Sequence, residues 1–287
     1  MNQFVLKLTN ILNDIRVEHT VFSLPFLLAS AFIASNGFPE INKLILIVLA
    51  LLFARAAAMS FNRFADANID KFNPRTAKRS IPKGAVKRKD MFLFVCFCST
   101  MFILTSYLLG NLTFLLSPVA LFIVFFYSYT KRFTALSHIV LGLALSLAPG
   151  GAWIALRNDF GLVPFFMMLA VVFWLAGFDI LYSLQDLKYD IKQGLHSIPV
   201  AIGEKNSLYV ARLFHSLTIL FLSPIGIMAH INFIYYLGLI IFAGLLLYEH
   251  SLVKPNDLSK IDMAFFNVNA ICSFIYATFV IFSVLIK

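Results

Sequence analysis

NRFADANIDKFNPRTAKRSIPKG, residues 62–84, is the one long polar and charged run in a chain that is otherwise apolar. It follows an apolar segment and spaces Asn62, Asp66 and Asp70 at i, i+4 and i+8, which puts one amide and two carboxylates on a single helical face. Such a row at the end of a membrane span is costly unless a cation lies against it, and the hard cation that suits oxygen ligands is Mg²⁺. The run reads as half of a metal-diphosphate site.

Working outward, the composition sets the class. Of 287 residues 60% are hydrophobic and only 13% charged, and the mean hydropathy is +0.86, outside the range of soluble domains and inside that of polytopic membrane proteins. The net charge of +9 would point to nucleic acid in a soluble protein, but here the basic residues gather in a few loops. Residues 62–90 alone hold nine Lys or Arg against three Asp, whereas the opposite loops offer little beyond Lys43, Arg157 and Lys287. That is the positive-inside pattern, so no nucleic-acid partner is expected. Cys96, Cys98 and Cys272 sit in apolar runs and are expected to be small core residues without a disulfide.

A span needs about 20 apolar residues. Nine are predicted, at 17–36, 41–61, 91–109, 112–129, 136–155, 161–183, 207–230, 232–250 and 262–285, giving an all-α polytopic membrane protein with one domain over 1–287. Alternating the loops puts the N-terminus, 62–90, 130–135, 184–206 and 251–261 in the cytoplasm and the C-terminus outside. The second polar loop repeats the logic of the first: Asp179, Ser183, Asp186 and Asp190, spaced 4, 3 and 4, form another one-faced row. The two rows follow spans two and six and face the same compartment. Pro149, Gly150 and Gly151 interrupt span five and are expected to mark a kink or a close helix approach.

These motifs carry a resemblance. NxxxDxxxD at Asn62, Asp66 and Asp70 with RTAxRxxPxG at Arg75 to Gly84, then DxxxD at Asp186 and Asp190 with KxGxxS at Lys192 to Ser197, resembles the UbiA superfamily of intramembrane prenyltransferases. The span number, the loop order and the pair Lys131 and Arg132 agree with it. More narrowly, NPRTA, GFDILYxLQD and GLHSIP resemble the 4-hydroxybenzoate polyprenyltransferase-like branch associated with menaquinone made through futalosine. Two positions depart from the family pattern, Arg63 where Asp commonly follows the motif Asn, and His196 where a basic residue often stands before the Ser of motif two.

The resemblance implies Mg²⁺-dependent transfer from a polyprenyl diphosphate to an aromatic acid, 4-hydroxybenzoate or 1,4-dihydroxy-6-naphthoate, in quinone biosynthesis at a bacterial inner membrane. Asn62, Asp66, Asp70, Asp186 and Asp190 are the expected metal set, the four aspartates are the expected catalytic set, and Arg75, Arg79, Lys131 and Arg132 are expected to bind diphosphate. Arg16, Asp179 and Tyr182 are expected at the acceptor, with Asp179 or Asp190 orienting or deprotonating it. The physical reason stands beside the family: an allylic diphosphate ionises only when its charge is neutralised, and the prenyl cation survives only in an apolar chamber that excludes water. The six histidines show no metal-ligand spacing and read as interfacial or hydrogen-bonded residues. The rival reading, a transporter that uses intramembrane carboxylates, is opposed by the placement of the acids at one face and by the lack of a visible inverted repeat.

Overall fold

A computed structural model describes residues 3–15, 17–255 and 257–286 of the chain. It is all-helical, with twelve α-helices among the described residues: α1 (Gln3–Asp14), α2 (Leu24–Ser35), α3 (Ile41–Asp70), α4 (Arg88–Leu109), α5 (Asn111–Thr130), α6 (Ser137–Arg157), α7 (Leu162–Ser183), α8 (Leu187–Gln193), α9 (Ile198–Leu222), α10 (Ile225–Met228), α11 (Ile234–Leu252) and α12 (Asn269–Leu285). Short 3₁₀ turns at Val17–Phe22 and Leu184–Asp186 precede α2 and α8, and a π-helical turn, Met263–Val268, leads into α12.

Among the described residues eight helical segments are long and apolar enough to cross a membrane. The ninth expected span, 17–36, is split between a 3₁₀ turn and the twelve-residue α2. Pro25 opens α2 at a position where the missing N–H costs nothing, and Asn36 closes it in the left-handed region at φ 50°. At about 1.5 Å per residue α2 covers only about 18 Å, too little for the hydrocarbon core by itself.

The chain divides into two compact units, residues 1–20 with 45–129, and residues 21–44 with 130–287. In the first, Ile11 and Ile15 pack with Val86 and Met91 in a small core, and Phe61 on α3 meets Phe125 on α5 with ring centroids 4.4 Å apart. The second unit is centred on α7, whose Met167, Trp174, Leu175 and Ile180 are buried. Phe26 of α2 lies between Trp174 and Tyr276, at 5.0 and 4.8 Å. Lipid is as apolar as these side chains, so cohesion here comes from close contact and internal hydrogen bonds more than from expelled water.

Close contact explains the small residues. A Cβ at Gly142 of α6 would run into the backbone carbonyl of Val172, which cannot move aside. The Pro149–Gly151 run also belongs to packing: α6 continues through it, Ser30 Oγ donates to the Pro149 carbonyl at 2.7 Å, and Gly150 leaves room for the Met168 side chain. The cysteines are free; Cys98 and Cys272 are buried as expected, but Cys96 is exposed on α4, where the sequence reading had it in the core.

Candidate active site

The first aspartate row is built by α3, a 30-residue helix that carries the apolar segment and the polar motif without a break. Asp66 and Asp70 are 1% and 3% exposed, so two carboxylates are withdrawn from solvent on one face. Asn62 Nδ2 donates to Asp66 Oδ2 at 3.1 Å and faces Ser128 Oγ at 3.5 Å. Asp70 is held by Arg79, whose Nη1 lies 2.6 Å from Asp70 Oδ2 in a largely buried ion pair. The Thr76 hydroxyl bonds the Asp70 carbonyl at 3.1 Å, and Asn73 Oδ1 accepts from the Arg75 backbone N–H at 2.9 Å, so the NPRTAKR segment turns back over the end of its own helix. Arg75 itself is exposed.

Arg63, the departure from the family pattern, has a structural role. Only 6% exposed, it donates from Nη1 to Asn62 Oδ1 at 2.9 Å and from Nε to the Asp14 carbonyl at 3.2 Å. It therefore fixes the amide orientation of Asn62, so that Nδ2 must face Asp66. Asp14 Oδ2 in turn accepts from the Ser80 N–H at 2.7 Å, and Ser80 Oγ donates to the Asn10 carbonyl at 3.0 Å. The loop after α3 is thus tied to α1.

An apolar cavity of about 250 Å³ in this unit is lined by Leu12, Ile15, Phe53, Phe94 and Phe97 among others, with Arg55 its only charged lining residue among the described residues. Arg55 is a functional candidate that the motifs do not include. The signal was there: an arginine inside a span is rare and functional by default, and Arg55 precedes Asn62 by seven residues and Asp66 by eleven, on the same face. Arg16 lies outside the described residues.

The second unit carries the other row. The α7 helix holds Asp179 and Tyr182 and stops at Ser183, whose hydroxyl turns back to the Ile180 carbonyl at 2.8 Å. A 3₁₀ turn then carries Asp186, and α8 carries Asp190, so the row is not one continuous helical face: the tighter turn shifts the register between Ser183 and Leu187. The glycine and serine of KxGxxS both have backbone duties. Gly194 ends α8 at φ +63°, and Ser197 caps α9 by accepting from the Val200 N–H at 3.3 Å. The His196 N–H donates to the Lys131 carbonyl at 2.7 Å, which joins the Lys131-Arg132 loop to this second loop.

Sequence reasoning missed the partner of Asp179. His138 Nδ1 lies 2.7 Å from Asp179 Oδ2, with the imidazole buried and the carboxylate 22% exposed. A separation of 41 residues hides such a pair from any local pattern. Tyr182 stacks on Phe265 with centroids 3.9 Å apart. Among the described residues no three acidic, histidine or cysteine side chains close into a preformed metal cage. Mg²⁺ does not require one, since it is held by one or two carboxylates together with water and substrate phosphates.

A profile of the UbiA prenyltransferase family matches residues 23–271. The chain is 32% identical over 212 residues to a 4-hydroxybenzoate octaprenyltransferase of Francisella tularensis subsp. novicida, covering 74% of each chain. Its fold matches the apo structure of a UbiA homologue from Aeropyrum pernix with a TM-score of 0.85 at 29% identity, over 94% of this chain and 99% of that one. A UbiA homologue from Archaeoglobus fulgidus, solved with DMAPP and Mg²⁺ bound, has the same fold at a TM-score of 0.70 and 20% identity, over 95% and 99% of the two chains.

Proposed function

The chain belongs to the UbiA prenyltransferase family, and from that premise we propose that it transfers a polyprenyl group from a polyprenyl diphosphate to a small aromatic acid at the cytoplasmic face of a bacterial inner membrane. One observation carries the reading: Asn62, Asp66 and Asp70 stand on one face of α3, buried, with the Arg79 guanidinium already against Asp70. Two carboxylates and an amide withdrawn from water on one helical face, with the buried guanidiniums of Arg79 and Arg63 beside them, set oxygen donors for a divalent ion next to positive charge suited to a diphosphate. The name of the Francisella relative and the DMAPP and Mg²⁺ held by the Archaeoglobus homologue support it.

The donor set fits Mg²⁺. Asn62, Asp66 and Asp70 would hold it in the first unit, and Asp186 and Asp190 would do so in the second. When bound, Mg²⁺ supplies Lewis acidity and neutralises charge on the departing diphosphate. The chain's own residues do the rest. Arg75 and Arg79, with Lys131 and Arg132, grip phosphate oxygens, the arginines in bidentate fashion. Arg63 keeps Asn62 turned toward Asp66. The apolar cavity accepts the ring of the aromatic acid while Arg55 pairs with its carboxylate, about 10 Å along α3 from Asn62. Asp179, braced by His138, is the second unit's candidate to orient the acceptor and take the proton released on substitution. Tyr182 and its neighbouring rings keep water from the allylic cation. Arg16 is a second candidate for the acceptor carboxylate.

The test is turnover of purified protein in lipid with Mg²⁺ and a labelled polyprenyl diphosphate, offering 4-hydroxybenzoate and 1,4-dihydroxy-6-naphthoate side by side. Prenylated 4-hydroxybenzoate assigns the ubiquinone-type reaction and prenylated naphthoate the futalosine route. Release of diphosphate with neither acceptor prenylated means a different acceptor class, and no release at all refutes the reading.

A further inference from the structure

Away from the aspartate rows, the second unit contains a buried polar network that none of the chemistry above uses. Trp174 on α7, Glu249 on α11 and Asn269 at the head of α12 are each 0% exposed. The Trp174 indole Nε1–H donates to Asn269 Oδ1 at 2.8 Å, and because an indole can only donate, this contact fixes which end of the amide is oxygen. Asn269 Nδ2 then points the other way. It donates to Glu249 Oε1 at 2.9 Å and to the carbonyls of Ala264 and Phe265 at 3.0 and 3.2 Å.

Those two carbonyls belong to the π-helical turn Met263–Val268. A π-turn is rare and occurs mostly as a single widened turn, often at functional sites. Here the side chain of Asn269 reaches back into it and ties its carbonyls to a buried carboxylate on the preceding helix, α11. The turn carries Phe265, whose ring lies flat on Tyr182 and meets Phe178 and Phe22 edge-on at 5.3 and 5.7 Å. Tyr182 is three residues beyond Asp179 and shares its face of α7. On the far side of the network His215 Nε2 donates to the Trp174 carbonyl at 3.2 Å and its Nδ1 faces Glu249 Oε2 at 3.7 Å.

We propose that Trp174, Asn269 and Glu249 form a positioning relay: by holding the π-turn open they keep Phe265 flat against Tyr182, and this closed aromatic wall beside Asp179 shields the transferring prenyl cation from water. The proposal rests on the prenyl-transfer reading. Its consequence is a partition. The allylic C–O bond breaks with loss of diphosphate in either case; the cation then bonds to the acceptor ring carbon, which loses its proton, or to a water oxygen, which loses a proton to give the free prenol. The relay acts on the second branch.

The experiment measures the ratio of prenol to prenylated acceptor, which misfolded protein does not change because it makes neither. Asn269→Ala and Glu249→Leu each leave buried polar groups unmatched and raise the ratio about tenfold. Glu249→Gln keeps an acceptor for Asn269 Nδ2, turns an amide toward His215 Nδ1 and retains the wild-type ratio. In parallel, 4-fluorophenylalanine at position 265 reports the ring's stacking by fluorine NMR without turnover: its resonance moves or broadens in Asn269→Ala and Glu249→Leu and stays in place in Glu249→Gln. An unchanged ratio and resonance in the first two variants overturns the relay, as does Glu249→Gln behaving like Glu249→Leu. If the wild type makes neither product, the prenyl-transfer reading fails, and the NMR series still decides whether the relay sets the ring.

Discussion

Asp70 and Arg79 show how one pair can serve both stability and chemistry. The carboxylate is 5% exposed and the guanidinium 21%, so removing either partner alone strands a charge in a poorly solvated place. Arg79→Ala is expected to cost about 3–5 kcal/mol of stability, seen as a lower melting temperature in detergent. Asp70→Asn with Arg79→Gln replaces the ion pair by a neutral amide pair and is expected to recover most of that loss, while turnover stays at least about 100-fold down because the anionic ligand is gone. Arg55 makes a separate prediction. Arg55→Ala is expected to raise KM for the aromatic acid at least about tenfold and leave KM for the polyprenyl diphosphate within about twofold, since a charge-assisted bidentate contact is worth about 1.5–3 kcal/mol. A rise in both would put Arg55 on the diphosphate instead.

At the scale of elements, backbone approach is the decisive quantity. Gly142→Ala forces a methyl into the Val172 carbonyl across the α6–α7 contact and is expected to cost about 1–3 kcal/mol. Gly151→Ala, on the same helix but with nothing within 4 Å of the new methyl, is expected to be neutral or to stabilise by up to about 1 kcal/mol. Thermal unfolding of the two variants side by side checks this. Legibility in the sequence follows the same scale. The face shared by Asn62, Asp66 and Asp70 was readable because i, i+4 spacing is a local rule and α3 obeys it. The Asp179 to Asp190 row was only half readable, because a 3₁₀ turn at Leu184–Asp186 has no distinct sequence signature and breaks the 3.6-residue period. Contacts such as His138 with Asp179 and Asn269 with Glu249 were not readable at all, since nothing local announces a partner on another helix.

For the molecule as a whole, hydropathy and charge gave the class and the eight long spans found among the described residues, and the remaining expected segment, 17–36, forms a shorter apolar helical stretch, Thr20–Ser35. The orientation argued from nine basic residues in 62–90 is open to direct measurement. With Cys96, Cys98 and Cys272 replaced by alanine, a membrane-impermeant maleimide is expected to label Lys83→Cys and Lys192→Cys in inside-out vesicles and to leave them unlabelled in intact cells. Labelling in intact cells would invert the topology and with it the compartment of both substrates' polar ends.

The lacing of α1 to the loop after α3 also has a consequence in time. Asp14 receives its hydrogen bond from Ser80, 66 residues later in the chain, and Lys7 pairs with Asp90 at 2.8 Å. At ribosomal speeds of about 5–20 residues per second, α1 is complete about 3–13 s before Ser80 is made. Through that interval the first helix has none of these partners, and two hydrophobic stretches must pass into the bilayer while its own apolar side is uncovered. Nascent chains stalled before residue 80 and well after it has left the ribosome should therefore differ in protease sensitivity at α1, a helix that is the first of its unit to be made yet stays unlocked until the loop after α3 arrives.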